Sequence, residues 1–146
     1  MFDIAIIYKY KQKGGLGMHE YSFVRDAQKV GFRWQRVHCY NDKGNEVGFF
    51  DYDIQAPGWI TLQKLFVVKA FRGNGIASLL IKHFLELSFY KLHANYVSVY
   101  IAPREKGISV NGLIKLHQKH GFDITDRKLS EAKASLKLQA FLDNNK

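Results

Sequence analysis

Leu65-Phe66-Val67-Val68-Lys69-Ala70-Phe71-Arg72-Gly73-Asn74-Gly75-Ile76-Ala77-Ser78-Leu79-Leu80 changes its periodicity midway. The short apolar run rich in Val and Phe predicts a buried strand ending near Val68. Arg72-Gly73-Asn74-Gly75 reads as a basic, flexible turn. From Ile76 the apolar residues fall at Ile76, Leu79, Leu80, Phe84 and Leu87, which is helical spacing. Strand, glycine turn and helix in that order make an anion site. The first N–H groups of a helix have no partner within it, the macrodipole puts partial positive charge there, and glycines let a phosphate approach the backbone. Arg72 adds a cation that can bond a phosphate in two places.

Two familiar phosphate sites do not fit. A P-loop requires Gly, four residues, then Gly-Lys-Ser/Thr, which the chain lacks. The dinucleotide fingerprint wants a third glycine where Ser78 stands, and a ribose-binding acid about 20 residues on, where Asn95 stands. Arg72-Gly73-Asn74-Gly75-Ile76-Ala77 does match Arg/Gln-x-x-Gly-x-Gly/Ala. It resembles the acetyl-CoA pyrophosphate loop of the GCN5-related N-acetyltransferases, the GNAT superfamily. A second, separate stretch is similar to the same family, whose members carry a helix ending in Leu-Tyr-x-Lys-x-Gly-Phe. Here the residues are Leu116-His117-Gln118-Lys119-His120-Gly121-Phe122.

The 146 residues suit one domain spanning the whole chain, large enough to bury about two-thirds of its unfolded surface. Hydrophobic residues at 47% and aromatics at 14% fit a packed core and exclude a disordered chain. No apolar run approaches the roughly 20 residues of a membrane span, so no membrane partner is expected. The stretch Met1 to Ile7 carries no basic region ahead of it and reads as a strand, not a signal peptide. A single cysteine, Cys39, rules out an internal disulfide and fits a reducing compartment, so a cytoplasmic protein is expected. Lys+Arg 22 against Asp+Glu 13 gives a net charge of +9. That excess favours acidic partners, such as cofactor phosphates, nucleic acid or an anionic substrate, or serves as a solubilising surface.

The order of elements follows from the pattern. Residues 2–8 suit a strand, and Lys9 to Gly17 has the composition of a mobile loop. Residues 18–31 fit a short helix or a strand. Arg33 to Tyr40 and Glu46 to Ile54 flank Asn41-Asp42-Lys43-Gly44-Asn45, a hairpin turn signal. Pro57-Gly58 makes a second turn, and Trp59 to Val68 is the third strand of the meander. A helix runs from about Asn74 to Lys91. Asn95 to Ala102 alternates as a strand, and Ser109 to His120 is a helix stopped by Gly121. Phe122 to Thr125 and Ser135 to Leu142 read as two final strands.

The resemblance implies an α/β fold with a mixed, mostly antiparallel sheet, flanking helices and a V-shaped acyl-CoA cleft. Two helices border the acceptor pocket in the family; the corresponding segment here is short and glycine-rich. Acetyl-CoA would lie between the strand ending at Val68 and the strand starting near Asn95. The loop of Arg72, Gly73, Asn74, Gly75, Ile76 and Ala77 would hold the pyrophosphate. The backbone of Phe66, Val67 and Val68 would pair with the pantetheine arm. An amine then attacks the thioester directly, which needs a neutral amine, a polarised carbonyl and a proton for the thiolate. His117 occupies the family's phenol position and is the implied acid, with Tyr100 and Tyr96 as substitutes. Its stripe with Val110, Leu113 and Ile114 also fits a half-buried structural histidine. Asp51 and Asp53 are the nearest acidic candidates for the base, and ordered water is the alternative. His117 and His120 sit three apart without a carboxylate or cysteine, so no metal is expected.

Seven cations before position 40 (Lys9, Lys11, Lys13, Arg25, Lys29, Arg33 and Arg36) border the implied acceptor side. Tyr8, Tyr10, Tyr21, Phe32 and Trp34 interleave with them and could stack on bases or belong to the core. Three readings stand. The first is an acetyl-CoA-dependent N-acetyltransferase acting on a primary amine, as a monomer or homodimer. The second is an acyltransferase of nucleic acid or aminoacylated RNA. The third is a GNAT-like domain that binds without turnover.

Overall fold

The computed structural model describes residues 8–14, 17–26, 34–103 and 108–145. The strands are β1 (Tyr8–Gly14), β2 (Gly17–Arg25), β3 (Trp34–Tyr40), β4 (Glu46–Ala56), β5 (Trp59–Val67), β6 (Tyr96–Ile101), β7 (Asp123–Arg127) and β8 (Ala132–Lys137). The helices are α1 (Ile76–Glu86), α2 (Val110–Lys119) and α3 (Leu138–Asn144). The strands form one sheet in the order β1-β2-β3-β4-β5-β6-β8-β7. Among the described residues β5 and β6 are the one parallel pair. The fold is the mixed, mostly antiparallel sheet with flanking helices that the resemblance implied.

Local chemistry sets the turns. Asn41 Oδ1 accepts from the N–H groups of Lys43 (3.0 Å) and Asn45 (2.9 Å), closing the β3–β4 turn. The β4–β5 turn reaches across the sheet, for Gly58 O accepts from the N–H groups of Asn95 (2.8 Å) and Tyr96 (3.1 Å). That bond pair sets the start of β6 beside β5. Ser109 caps α2, its Oγ accepting from Gly112 N–H at 3.0 Å.

Alternate residues of the strands pack with the helices into a single core. Phe23, Phe50, Leu62 and Val97 meet Leu80, Ile81 and Phe84 of α1, all fully buried. His83 lies among them, its ring stacked on Phe23 with centroids 4.0 Å apart. The Cys39 thiol is buried too, which pushes its pKa up to about 12 and leaves it unreactive.

The N-terminal segment differs from expectation. Lys9 to Gly17 is not a loop but most of a hairpin, with Gly14 opposite Gly17 at its tip. The alternation Tyr8-Lys9-Tyr10-Lys11 is a strand period, and it prevails over the composition. Among the described strands β1 stands at one end of the sheet. Residues 18–31 resolve as strand as far as Arg25. The first predicted strand lies, apart from Tyr8, outside the described residues. The last predicted strand ends at Lys137, and Leu138–Asn144 is helical. Phe141 then stacks on Phe89 beyond the end of α1 (4.6 Å), a contact the helical turn makes available. The long helix is α-helical to Glu86 and continues as a wider π turn over Leu87–Lys91.

Gly48 marks where β4 passes under α1. A Cβ there would stand 2.5 Å from Phe66 O and 3.2 Å from Leu80 Cδ1. The first neighbour is backbone and cannot turn aside. Gly48→Ala is expected to destabilise the fold by about 1–3 kcal/mol, read as a lower denaturant midpoint with an unchanged slope.

Candidate functional site

β5 and β6 stay paired only from Trp59↔Tyr96 to Leu62↔Val99. Thr61 and Ser98, a register pair, join side chains at 2.9 Å, and Trp59 Nε1 donates to the same Ser98 Oγ at 2.9 Å. Beyond Leu62 the strands part. Gln63 is an extra residue in β5, since Tyr52 faces Leu62 while Asp51 faces Lys64. Such a bulge bends its strand and strengthens the local twist. β6 meanwhile keeps pairing with β8 as far as Ile101↔Ala132. The parted strands open a cleft of about 630 Å³.

The edge of β5 in this cleft carries backbone groups without a neighbouring strand. Val68 N–H donates to Val47 O (2.9 Å), so Gly48 and Val67 form a pair that exchanges no bonds. Val67 and, two residues earlier, Leu65 therefore turn their N–H and C=O groups away from β4. Val67 O accepts from Arg72 Nε at 3.1 Å. The predicted strand-like pairing surface thus comprises Leu65 and Val67. Val68 is engaged with β4.

The glycine turn closes one end. Gly73 (φ +84°) and Gly75 (φ +78°) both adopt left-handed backbone, which only glycine takes without strain. Gly75 is the N-cap of α1 and has no side chain to bond the first helical N–H groups. Leu79 N–H bonds Gly75 O (3.1 Å), closing the first turn and leaving the N–H groups of Ile76, Ala77 and Ser78 to an outside partner. Arg72, Gly73, Gly75, Ile76 and Ala77 line the cleft, as do Phe66 and Val67. Asn74 does not. Its side chain turns back to Phe71 O (3.1 Å) and it borders a smaller hollow with His19 and Tyr21. α2 contributes Leu113, Leu116, His117 and Lys119 to the same wall.

His117 of α2 lines this wall, and His120 is the C-cap residue of the same helix. His117 is buried, with Nδ1 2.8 Å from Leu113 O, and its Nε2 has no hydrogen-bond partner. Burial lowers its pKa from the ordinary value. An acid must carry a proton to give, and a buried neutral ring whose one N–H faces a carbonyl has none to spare. His120 Nε2 lies 2.6 Å from Ser78 Oγ, which ties α2 to the first turn of α1. Burial, together with Lys119, His117 and Lys82, lowers its pKa to about 4. Ser78, which stands where a dinucleotide loop would have glycine, has this bond as its evident role.

Tyr100 lines the cleft and is 46% exposed. Tyr96 instead packs beside Trp59, ring centroids 6.1 Å apart. Asp51 is outside the cleft wall, and both its oxygens are held by Arg36, at 2.7 Å from Nε and 3.0 Å from Nη2. Arg36 also lies over the Phe49 ring at 3.9 Å. The guanidinium thus occupies both oxygens of Asp51 in a bidentate pair. Asp53 comes nearer the cleft, its Oδ2 accepting from Gln55 Nε2 (2.9 Å) and from Gln63 Nε2 of the bulge (3.4 Å). No carboxylate lines the cleft among the described residues, whereas Lys64, Arg72 and Lys119 do. Alternation in the meander could not have singled out Gln63, because a bulge is a break in register.

The anionic preference of the wall is thus local to the cleft. Of the cations before position 40, Arg36 is engaged with Asp51, and Lys9, Lys11, Lys13, Lys29 and Arg33 lie outside the residues whose side chains are described. No described helix is long and apolar enough to cross a membrane.

The cleft is thus bounded by a parted strand pair and by a glycine turn at a helix N-terminus. The chain belongs to the GNAT acetyltransferase family: the sequence model of the acetyltransferase (GNAT) domain matches residues 33–124, well over half of the chain. The match runs from β3 into β7 and excludes the β1–β2 hairpin and β8. No curated protein matches the chain by sequence. Among solved structures, mutant forms of the spermidine/spermine N-acetyltransferase SpeG from Vibrio cholerae are similar with a TM-score of 0.69 at 14% identity, over 80% of this chain and 72% of that one. The Vibrio cholerae spermidine N-acetyltransferase in complex with CoA and spermine gives 0.67 at 14% identity, over 79% and 72%. A dodecameric structure of that enzyme gives 0.67 at 14%, over 82% and 74%. These likenesses establish the shared fold.

The buried histidines make stability depend on pH. His83 titrates at about 3 and His120 at about 4 in the fold, against an ordinary 6.5. Unfolded chains therefore bind more protons over this window, so stability is present above pH 6.5 and falls as pH drops toward 4 and then 3. His83→Phe, which keeps a ring on Phe23, is expected to flatten the decline of Tm between those limits. An unchanged slope would show that other groups carry it.

Proposed function

We propose that this chain transfers an acetyl group from acetyl-CoA to a primary amine by direct attack on the thioester. The observation that carries the reading is the cleft where β5 and β6 part, with an unpaired strand edge along one side and a positive glycine turn at its end. In this reading the pyrophosphate takes the N–H groups of the turn from Gly73 to Ala77, with Arg72 and Lys119 as counter-charges. The pantetheine amides pair with Leu65 and Val67 as an added strand would. That arrangement lays the thioester toward the point where the strands join, near Gln63. The Tyr100 hydroxyl, on the adjoining wall, is the proton donor to the departing sulfur. The amine enters from the side of the bulge, where Asp53 favours a cationic group. Family membership supports acetyl transfer, and spermidine and spermine, which the structural neighbours act on, are the first acceptors to assay.

Acetyl-CoA titrated calorimetrically into the protein is expected to bind at micromolar concentration, with adenosine diphosphate binding more weakly because it lacks the pantetheine arm. Ala77→Glu sets a like charge against the phosphates but suits a helix first turn, so the fold should persist. It is expected to weaken acetyl-CoA by about tenfold or more, ~1.4 kcal/mol. Equal affinity in the variant would place the phosphates elsewhere, and no wild-type binding at millimolar ligand would defeat the reading.

A further inference from the structure

His117 has a fixed tautomer. Nδ1 lies 2.8 Å from Leu113 O, an atom that can only accept, so Nδ1 carries the ring proton. Nε2 is then the bare acceptor of a neutral imidazole. It is buried, on a residue 3% exposed, and has no hydrogen-bond partner in the protein. A fold keeps an unsatisfied buried acceptor only against a penalty, and such atoms gather where a ligand supplies the missing donor. The ring stands in the cleft wall, steadied edge-on by Phe122 at 5.3 Å.

The rest of the wall has nothing else for the task. Lys64, Arg72 and Lys119 are cations, Ser78 and Tyr100 are hydroxyls, and no carboxylate lines the cleft among the described residues. Asp51 is clamped by Arg36. Nε2 of His117 is therefore the one side-chain atom in the described wall that can take up a proton near neutral pH.

We propose that His117 is the base of the acyl transfer and not its acid, with Nε2 receiving the proton that the attacking amine loses. This deepens the acetyl-CoA reading and rests on it. The amine nitrogen forms its bond to the thioester carbon as the carbon–sulfur bond breaks. One N–H proton passes to Nε2, giving an imidazolium. Tyr100 gives its hydroxyl proton to the thiolate, and the imidazolium returns a proton to the phenolate through solvent. The products are an amide and a free thiol, with His117 and Tyr100 restored.

The groups that share the wall with the ring agree with this direction: Lys119 on α2, Ser78 on α1, Arg72 in the turn, Lys64 on β5 and Tyr100 on β6. All are cationic or neutral. Burial opposes a lasting imidazolium, while the Leu113 carbonyl favours it. The ring is therefore a transient proton carrier that releases what it takes.

The test follows thiol release from acetyl-CoA with hydroxylamine, an amine small enough to need no recognition, across about pH 5 to 8. Acetyl-CoA affinity is measured alongside by calorimetry. In the wild type the enzyme-dependent kcat should fall as pH drops below the ordinary histidine range, because the protonated ring cannot accept. His117→Gln keeps a hydrogen-bonding side chain but carries no proton. It is expected to lower kcat about 10²-fold, remove the acid limb and leave acetyl-CoA affinity unchanged. A variant with wild-type kcat, an acid limb that survives, or loss of affinity in step with turnover would overturn the proposal. Wild-type protein that binds acetyl-CoA without releasing thiol would overturn it while leaving the cofactor reading intact. Failure to bind acetyl-CoA would overturn both.

Discussion

The structure depends on two strands that stop pairing. A parallel ladder normally runs until one strand ends, because every unpaired N–H and C=O in a sheet interior is destabilising. Here β5 and β6 part after Leu62 and Val99 although both continue. The join is clamped by Thr61, Ser98 and Trp59 on one side of the point of departure, and the Gln63 bulge bends β5 on the other. The resulting backbone edge at Leu65 and Val67 borders the cleft and is only partly buried.

Charge is distributed to match. The chain carries +9, yet the described cleft wall holds three cations and no acid. Acids exist nearby, but they are engaged. Asp51 answers Arg36, which itself covers Phe49, and Asp53 accepts from two glutamine side chains. Keeping carboxylates out of the wall favours a polyanionic cofactor.

Much of this was legible in the sequence, for reasons that can be stated. The switch from a Val-rich run to helical spacing across Arg72-Gly73-Asn74-Gly75 survives in any context, because a left-handed turn needs its glycines. The Gly121-Phe122 stop of α2 is equally local: Gly121 has φ +94°, and Phe122 N–H bonds back to His117 O at 3.1 Å. The hairpin of β1 and β2 was misread because glycine and lysine content outweighed a two-residue period. Leu138–Asn144 was read as strand because its helical state rests on a distant contact, Phe141 on Phe89. The site residues divide in the same way. Loop positions were readable from local geometry, but the engagement of Asp51 with Arg36, the turning aside of Asn74 and the bulge at Gln63 are tertiary facts with no signature along the chain.

The two ends of the cleft are joined through α2. Ser78, in the first turn of the phosphate-facing helix, bonds His120, and His117 stands three residues earlier on the same helix. The first turn of α1 is thus tied through a 2.6 Å bond to the end of the helix that carries His117. Burial keeps both rings neutral, so the bond is one between neutral partners and does not vary with pH near neutrality. A histidine pair on one helix thus has two duties set by environment alone. His120, with a hydroxyl partner, ties α2 to α1, while the second nitrogen of His117 has no hydrogen-bond partner. Charging either ring would disturb the other, which is the physical reason for a wall that keeps both neutral.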